Sequence, residues 1–447
     1  METQIILSVL GGIVLLIFLI LRVKLQAFLA LLVTCLVVGL ASGMPMDSVI
    51  DSIKNGMGGT LGFVATVVGL GAIFGALLEY SGSASLLATR MLSRVGIDRA
   101  PWAVLGTGFL IAIPVFFDVA FIILIPFLYA LQQQSKKSLL LYALPLLAGL
   151  AITHSFIPPT PGPIAVADIL GANLGWVIIM GFITGIPTAI FAGPVFANYI
   201  SNKIFLASPP DFVEPDRTLQ DKVSLRTVLS LIGLPIVLIV TNTLVSSPLV
   251  ESWNIPKLIR DGLSFVGHPF SALVIANLLA WYFLGIRLGV PSTTLSEITS
   301  KSLLPAGTII LLTGAGGAFK QILIDTGAGK IIAETIQQAM PTVVFAFLVA
   351  AVVRLLQGSA TVAMITSAGI TAPLLTGIAI DPAHKAILVI AIASGASIFS
   401  HVNDSGFWLV KQYLGMTEKQ TFATWSVLTT IIALIGLLCS VVLWYIL

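Results

Sequence analysis

The sequence predicts an all-α polytopic membrane protein made of two inverted repeats, each with five spans, one re-entrant hairpin and one broken helix. Three observations carry that expectation. Hydrophobic residues make up 57% of the chain and charged residues only 9%, against about 25% charged in a soluble domain. The apolar residues fall into runs of the ~20-residue length that crosses a hydrocarbon core. Short motifs of the first half also return, in order, in the second.

Hydropathy places apolar segments at 4–21, 25–43, 60–79, 102–131, 138–170, 174–200, 227–246, 270–286, 302–324, 341–376, 384–415 and 421–445. The first has its basic residues, Arg22 and Lys24, after it rather than before it, which is the wrong order for a signal peptide. It reads as a retained span. Cys35 and Cys439 both sit inside apolar runs, which argues against a disulfide framework or a thiolate metal site. A net charge of +3 with no basic tract argues against a nucleic-acid partner. Gly69-x-Gly71-x-x-x-Gly75 and Gly314-x-Gly316-Gly317 are not phosphate loops, because no Gly-Lys-Ser/Thr follows. Small residues in a membrane helix instead permit close packing. No nucleophile or metal motif stands out, so no enzyme, cofactor or metal is expected.

Four segments are too long or too broken to be simple spans. Segment 102–131 holds Pro114 and Pro126, and 341–376 holds Gly358-Ser359. Segment 138–170 is interrupted by Ile157-Pro158-Pro159-Thr160-Pro161-Gly162-Pro163, and 384–415 by Ser400-His401-Val402-Asn403-Asp404-Ser405-Gly406. Arg90, Arg94 and Arg99 precede 102–131, and Lys136 and Lys137 follow it. Basic flanks lie on the cytoplasmic side, so both ends face the cytoplasm, as in a re-entrant hairpin. Treating 341–376 as its counterpart from the outer side gives ten spans and two hairpins, with both termini outside. The domains are then residues 1–200 (hairpin 102–131, broken span 138–170), a cytoplasmic linker 201–226, and residues 227–447 (hairpin 341–376, broken span 384–415).

The halves correspond motif by motif. Gly69-Leu-Gly-Ala-Ile-Phe74 aligns with Gly314-Ala-Gly-Gly-Ala-Phe319, Gly82 with Gly327, Thr153-His154-Ser155 with Ser400-His401-Val402, and Leu170-Gly171 with Leu414-Gly415. Five spans per half is an odd number, so the second half must be inverted, the plan of many secondary transporters.

Irregular backbone survives at membrane depth only where it lines a cavity or is buried in protein. Two tips and two breaks should therefore converge near the midplane. Ionisable residues there are functional candidates. Asp118, at the first tip among Phe116, Phe117 and Phe121, either carries a proton or fixes the tip by accepting backbone N–H bonds. His154 and His401 hold matching places in the two breaks, as proton carriers or as neutral residues bonded to loop backbone. Asp404 either carries a proton or caps the half-helix after it. Arg354 anchors an anionic substrate or makes an internal salt bridge. Ser155, Thr160, Gly162, Gly358, Ser359, Thr361 and Asn403 supply hydroxyl, amide and backbone groups for a polyhydroxylated substrate.

At these motifs the chain resembles the gluconate:proton symporter family along nearly its whole length. The resemblance rests on Gly58-Gly59-Thr60-Leu61-Gly62, Phe117-Asp118-Val119, Thr153 to Pro163, Gly314 to Gln321, Gly358-Ser359-Ala360-Thr361-Val362-Ala363 and Phe399 to Trp408. That family often has Glu where this chain has Asp118, which keeps a carboxyl, and His where this chain has Thr160, which removes a titratable group. The resemblance implies a proton symporter for a sugar-acid anion, gluconate or a related hexonate or hexuronate. It also implies a homodimer in the bacterial inner membrane that works by elevator-like motion. Members for fructuronate, D-serine or glycerate are the alternatives, and an anion channel is a remoter one.

Overall fold

A chain solvated by lipid must satisfy its own backbone N–H and C=O groups, and a helix does so within one segment. The computed structural model describes residues 2–96, 99–208, 223–246, 256–327, 340–375, 380–401 and 404–447. Among them the regular structure is helical, with no strand. Nine helical stretches of the described residues are long and apolar enough to cross a membrane, so the protein is a multi-pass membrane protein. These nine do not map one to one onto the ten expected spans. Helix α2 (Ala27–Ala41), at 15 residues, is below that length, and so is the helix that opens the last broken span.

Helices α1 (Glu2–Leu21) and α2 lead into α3 (Met46–Tyr80), which begins well before the apolar segment at 60–79. Its polar first turns hold Asp47, Asp51 and Lys54. The next helix, α4 (Ser83–Val95), is amphipathic rather than uniformly apolar, so hydropathy alone passes over it. The first tip joins α5 (Ala100–Ile111) to α6 (Phe117–Ser135). At 12 residues α5 is too short to cross, while α6 has crossing length.

Helix α7 (Leu140–Phe156) is broken from α8 (Pro161–Leu170) by Ile157, Pro158, Pro159 and Thr160. A residue before proline is pushed out of the helical region, and Ile157 is extended at φ −119°, ψ 117°. Pro161 then opens α8 at a first-turn position, where its missing N–H costs nothing. Helix α9 (Leu174–Ile190) passes through a π turn, Phe191–Val195, into α10 (Phe196–Ser201).

The second half contains α11 (Leu225–Val245), the amphipathic α12 (Lys257–Gly267), α13 (Pro269–Ala280) and α14 (Ser292–Asp325). Leu258 and Phe265 of α12 are exposed beside Lys257 and Arg260. An apolar face of that kind suits the plane of a membrane interface. The second tip joins α15 (Thr342–Gln357) to α16 (Ala360–Thr371). The second break separates α17 (Pro382–Ser397) from α18 (Ser405–Leu414). The chain closes with α19 (Glu418–Thr421), a π turn Phe422–Ser426 and α20 (Val427–Ile446).

Helices α3 and α14 have 35 and 34 residues. At ~1.5 Å per residue each is about 50 Å long, well beyond a hydrocarbon core of about 30 Å. They pack along each other more extensively than any other pair of described helices. The Ser52 hydroxyl donates to Asp325 Oδ2 at 2.6 Å, and Gln321 Nε2 donates to the other carboxylate oxygen at 2.9 Å. The helix before each break is pressed onto the helix that leads into a tip. A Cβ on Gly149 of α7 would lie 2.5 Å from the Leu105 carbonyl of α5, and one on Gly395 of α17 would lie 2.9 Å from Ala350 Cβ of α15. Two glycine pairs matched by sequence share a left-handed backbone: Gly82 and Gly327 at φ 71° and 74°, Gly171 and Gly415 both at 64°.

Candidate functional site

Helix ends from both halves frame one cavity of about 370 Å³, within the range of about 300–1,000 Å³ typical of small-ligand sites. The C-terminal ends of α7 and α15 reach it through His154 and Ser155 and through Arg354. The first turns of α6, α16 and α18 reach it through Asp118, Thr361 and Gly406. A helix N-terminus carries unsatisfied N–H groups and partial positive charge, so it favours an anion.

Local sequence sets each of these ends. Phe116 is extended, at φ −61° and ψ 144°, and starts α6. Gly358 stops α15 in the left-handed region at φ 89°, where a glycine meets no Cβ penalty. Ser359 then caps α16, its hydroxyl accepting the Val362 N–H at 3.4 Å, while Gln357 Oε1 accepts the Ser359 N–H at 2.8 Å. Asp404 caps α18 by accepting the Gly406 N–H at 3.1 Å.

The electrostatic centre is Arg354, which is only 4% exposed. Its guanidinium donates to the Gly358 carbonyl and to Asp404 Oδ2. The same Asp404 oxygen accepts the Ser400 hydroxyl. Trp425 Nε1 donates to Ser400 Oγ at 2.7 Å, and the Ser400 N–H donates to Thr429 Oγ1 at 3.0 Å. Asp118 lines the same cavity as Asp404. Thus two carboxylates share the cavity with one buried cation among its described lining residues. Arg354 Nε and His154 Nδ1 are buried with no hydrogen-bond partner among the described residues. Rings close the walls: Phe116 lies 6.2 Å from the His154 ring, and Phe117 lies 5.6 Å from Trp425.

The cavity gathers Asp118, His154, Ser155, Arg354, Gly358, Ser359, Thr361 and Asp404. Three residues that the sequence suggested for the site sit elsewhere. Thr160 stands at the N-cap position of α8 without a capping bond, and its hydroxyl donates to the Ile157 carbonyl at 2.7 Å, turned toward α3 and the first tip. Gly162 packs on α16, where an added Cβ would lie 3.0 Å from Met364 Sδ. His401 points back to α15, with Nε2 3.0 Å from the Leu355 carbonyl. Asn403 lies outside the described residues. Sequence reading missed Trp425 and Thr429. Both sit in an unbroken apolar run, and the π turn that aims Trp425 at Ser400 leaves no hydropathy signal.

The model of the GntP family permeases matches residues 4–446. The chain belongs to that family. It is 39% identical over 438 residues to the low-affinity gluconate transporter of Escherichia coli (strain K12), covering 98% of this chain and 97% of that one. It is 37% identical over 440 residues to the gluconate permease of Pseudomonas aeruginosa, covering 98% and 96%. Among solved structures it superposes on the YdaH transporter of Alcanivorax borkumensis with a TM-score of 0.65 at 16% identity, over 94% of this chain and 97% of that one. The last likeness is one of fold. Within this GntP family permease the tips and breaks that carry the sequence resemblance are the segments that build the cavity, apart from the proline-rich loop, which buttresses it from α8.

Proposed function

We propose that this permease imports a sugar-acid anion, gluconate or a related hexonate or hexuronate, by proton symport across the bacterial inner membrane. The observation that carries the reading is the cavity where three helix N-termini and the buried Arg354 face one space. That arrangement favours a carboxylate. Ser155, Ser359 and Thr361 and the unpartnered His154 Nδ1 offer hydrogen bonds to substrate hydroxyls. The relatives are named for gluconate, which makes it the first substrate to try.

The coupling follows from charge. A lone anion entering against an inside-negative potential is opposed by about 2.3 kcal/mol per 100 mV. One proton carried with it cancels that opposition and adds the pH gradient. Asp118, Asp404 and His154 are the titratable groups at the cavity, and no cofactor is required. The plan of paired tips and breaks supports two inverted repeats moving as an elevator in a homodimer.

Uptake into proteoliposomes tests the reading, with labelled gluconate, idonate, fructuronate, D-serine and glycerate under imposed pH and sodium gradients. Gluconate or another hexonate is expected to accumulate when the outside is acidic, with or without sodium. Accumulation that needs sodium and ignores pH would sink proton symport. Transport of D-serine alone would sink the sugar-acid assignment.

A further inference from the structure

The binding-site arginine is already occupied. Arg354 is held by the Gly358 carbonyl and by Asp404 Oδ2, and Asp404 is held in turn by Ser400, itself fixed by Trp425. We propose that Asp404 is an internal stand-in for the substrate carboxylate: a proton on Asp404 releases Arg354 to the incoming anion, so the substrate and its proton enter as one exchange at one guanidinium. The proposal rests on the symport reading above and assigns that proton to a single residue.

The charge count leads to the same place. Asp118, Asp404 and Arg354 sum to one negative charge at the cavity, with His154 neutral. A monoanion arriving alone would make that two, in a space walled by apolar rings, where like charges repel more strongly than in water. A proton arriving with it restores the count. Among the groups facing Asp404, Arg354 comes from α15, Asp118 from α6 and His154 from α7, while His401 of the same break is turned to the Leu355 carbonyl. Of these, Asp404 is the carboxylate bonded to the arginine that the substrate needs.

The surroundings hold Asp404 in both states. As a carboxylate, its Oδ2 accepts from Arg354 and Ser400. As an acid, its O–H can donate to Ser400 Oγ, because a hydroxyl oxygen has two acceptor sites and the Trp425 N–H uses one. The Ser400 hydroxyl turns, and the heavy atoms stay in place. Oδ1 keeps the Gly406 N–H and with it the cap of α18.

Gluconate binding to the purified full-length protein, measured from pH 5 to 9, tests this. Wild-type affinity should fall as pH rises, by up to about tenfold per pH unit, since one proton is linked to binding. Asp404→Asn keeps a capping amide oxygen without a charge. It should bind gluconate with a Kd that varies less than about threefold across the range, and should exchange gluconate but not accumulate it on a pH gradient. Asp404→Glu should restore the pH slope. Asp118→Asn should leave the slope in place, which keeps the test decisive should Asp404→Asn not fold. A slope that persists in Asp404→Asn, or vanishes in Asp118→Asn, overturns the latch while leaving proton symport standing. Wild-type binding indifferent to pH also overturns the latch, and symport falls with it only if accumulation ignores the pH gradient as well.

Discussion

Arg354 shows how far a single side chain can be read from sequence. Its depth in an apolar segment marks it as a functional candidate or a salt-bridged one, and the structure makes it paired and cavity-lining together. What sequence could not supply was the partner, fifty residues away across a break. Removing one member of a buried pair leaves the other charge uncompensated, at about 3–5 kcal/mol. Arg354→Gln is therefore expected to lower gluconate uptake at least about 100-fold with the protein still in the membrane. Uptake within a few-fold of wild type would exclude an anchoring role. Trp425 is the opposite case, invisible in sequence because its role is one long-range hydrogen bond. Trp425→Phe keeps the ring against Phe117 and deletes the N–H to Ser400. Loss of such a bond costs about 1 kcal/mol, so the purified protein should melt about one degree lower. An unchanged melting curve would show that Ser400 finds another donor.

At the scale of elements, hydropathy located most helices, and a proline-rich interruption at 157–163 and a polar one at 400–406 located the two breaks. Hydropathy failed where helices are amphipathic, at α4 and α12, and where polar turns extend an apolar span, at the start of α3 and of α14. Those turns are helical because they pack along a partner helix, as Ser52 does with Asp325. The glycines were legible as packing positions, though their partners were not. Gly395→Val pushes a branched side chain into the Phe347 carbonyl and Ala350 of α15. Overpacking of that kind costs about 1–3 kcal/mol, and transport should fall with stability. Gly62→Ala, where no described residue lies within 4 Å of the added Cβ, is the control and should be neutral. Equal melting temperatures for the two variants would mean that the α15–α17 contact is not tight.

For the whole molecule, orientation rests on the distribution of basic residues, and the first hairpin is its most exposed point. Helix α5 is too short to cross, but α6 alone is not. Single cysteines at Arg99 and Lys136, in a background without Cys35 and Cys439, decide the matter. A membrane-impermeant thiol reagent should reach both from the cytoplasmic side and neither from outside. Labelling from opposite faces would make 102–131 a crossing and undo the expected topology.

The two breaks are written in different materials. In the first, Pro158, Pro159 and Pro161 forbid a continuous helix by covalent geometry alone. The second has no proline between Ser397 and Ser405. It is held by Asp404, Ser400, Trp425, Thr429 and Ser426, through bonds to atoms far away in sequence. A joint fixed by rings owes its shape to covalent geometry, whereas one fixed by a polar knot owes it to bonds with distant residues. Two breaks alike in outline thus answer to different changes: the first to the loss of a proline in its own loop, the second to the loss of a partner far away in sequence.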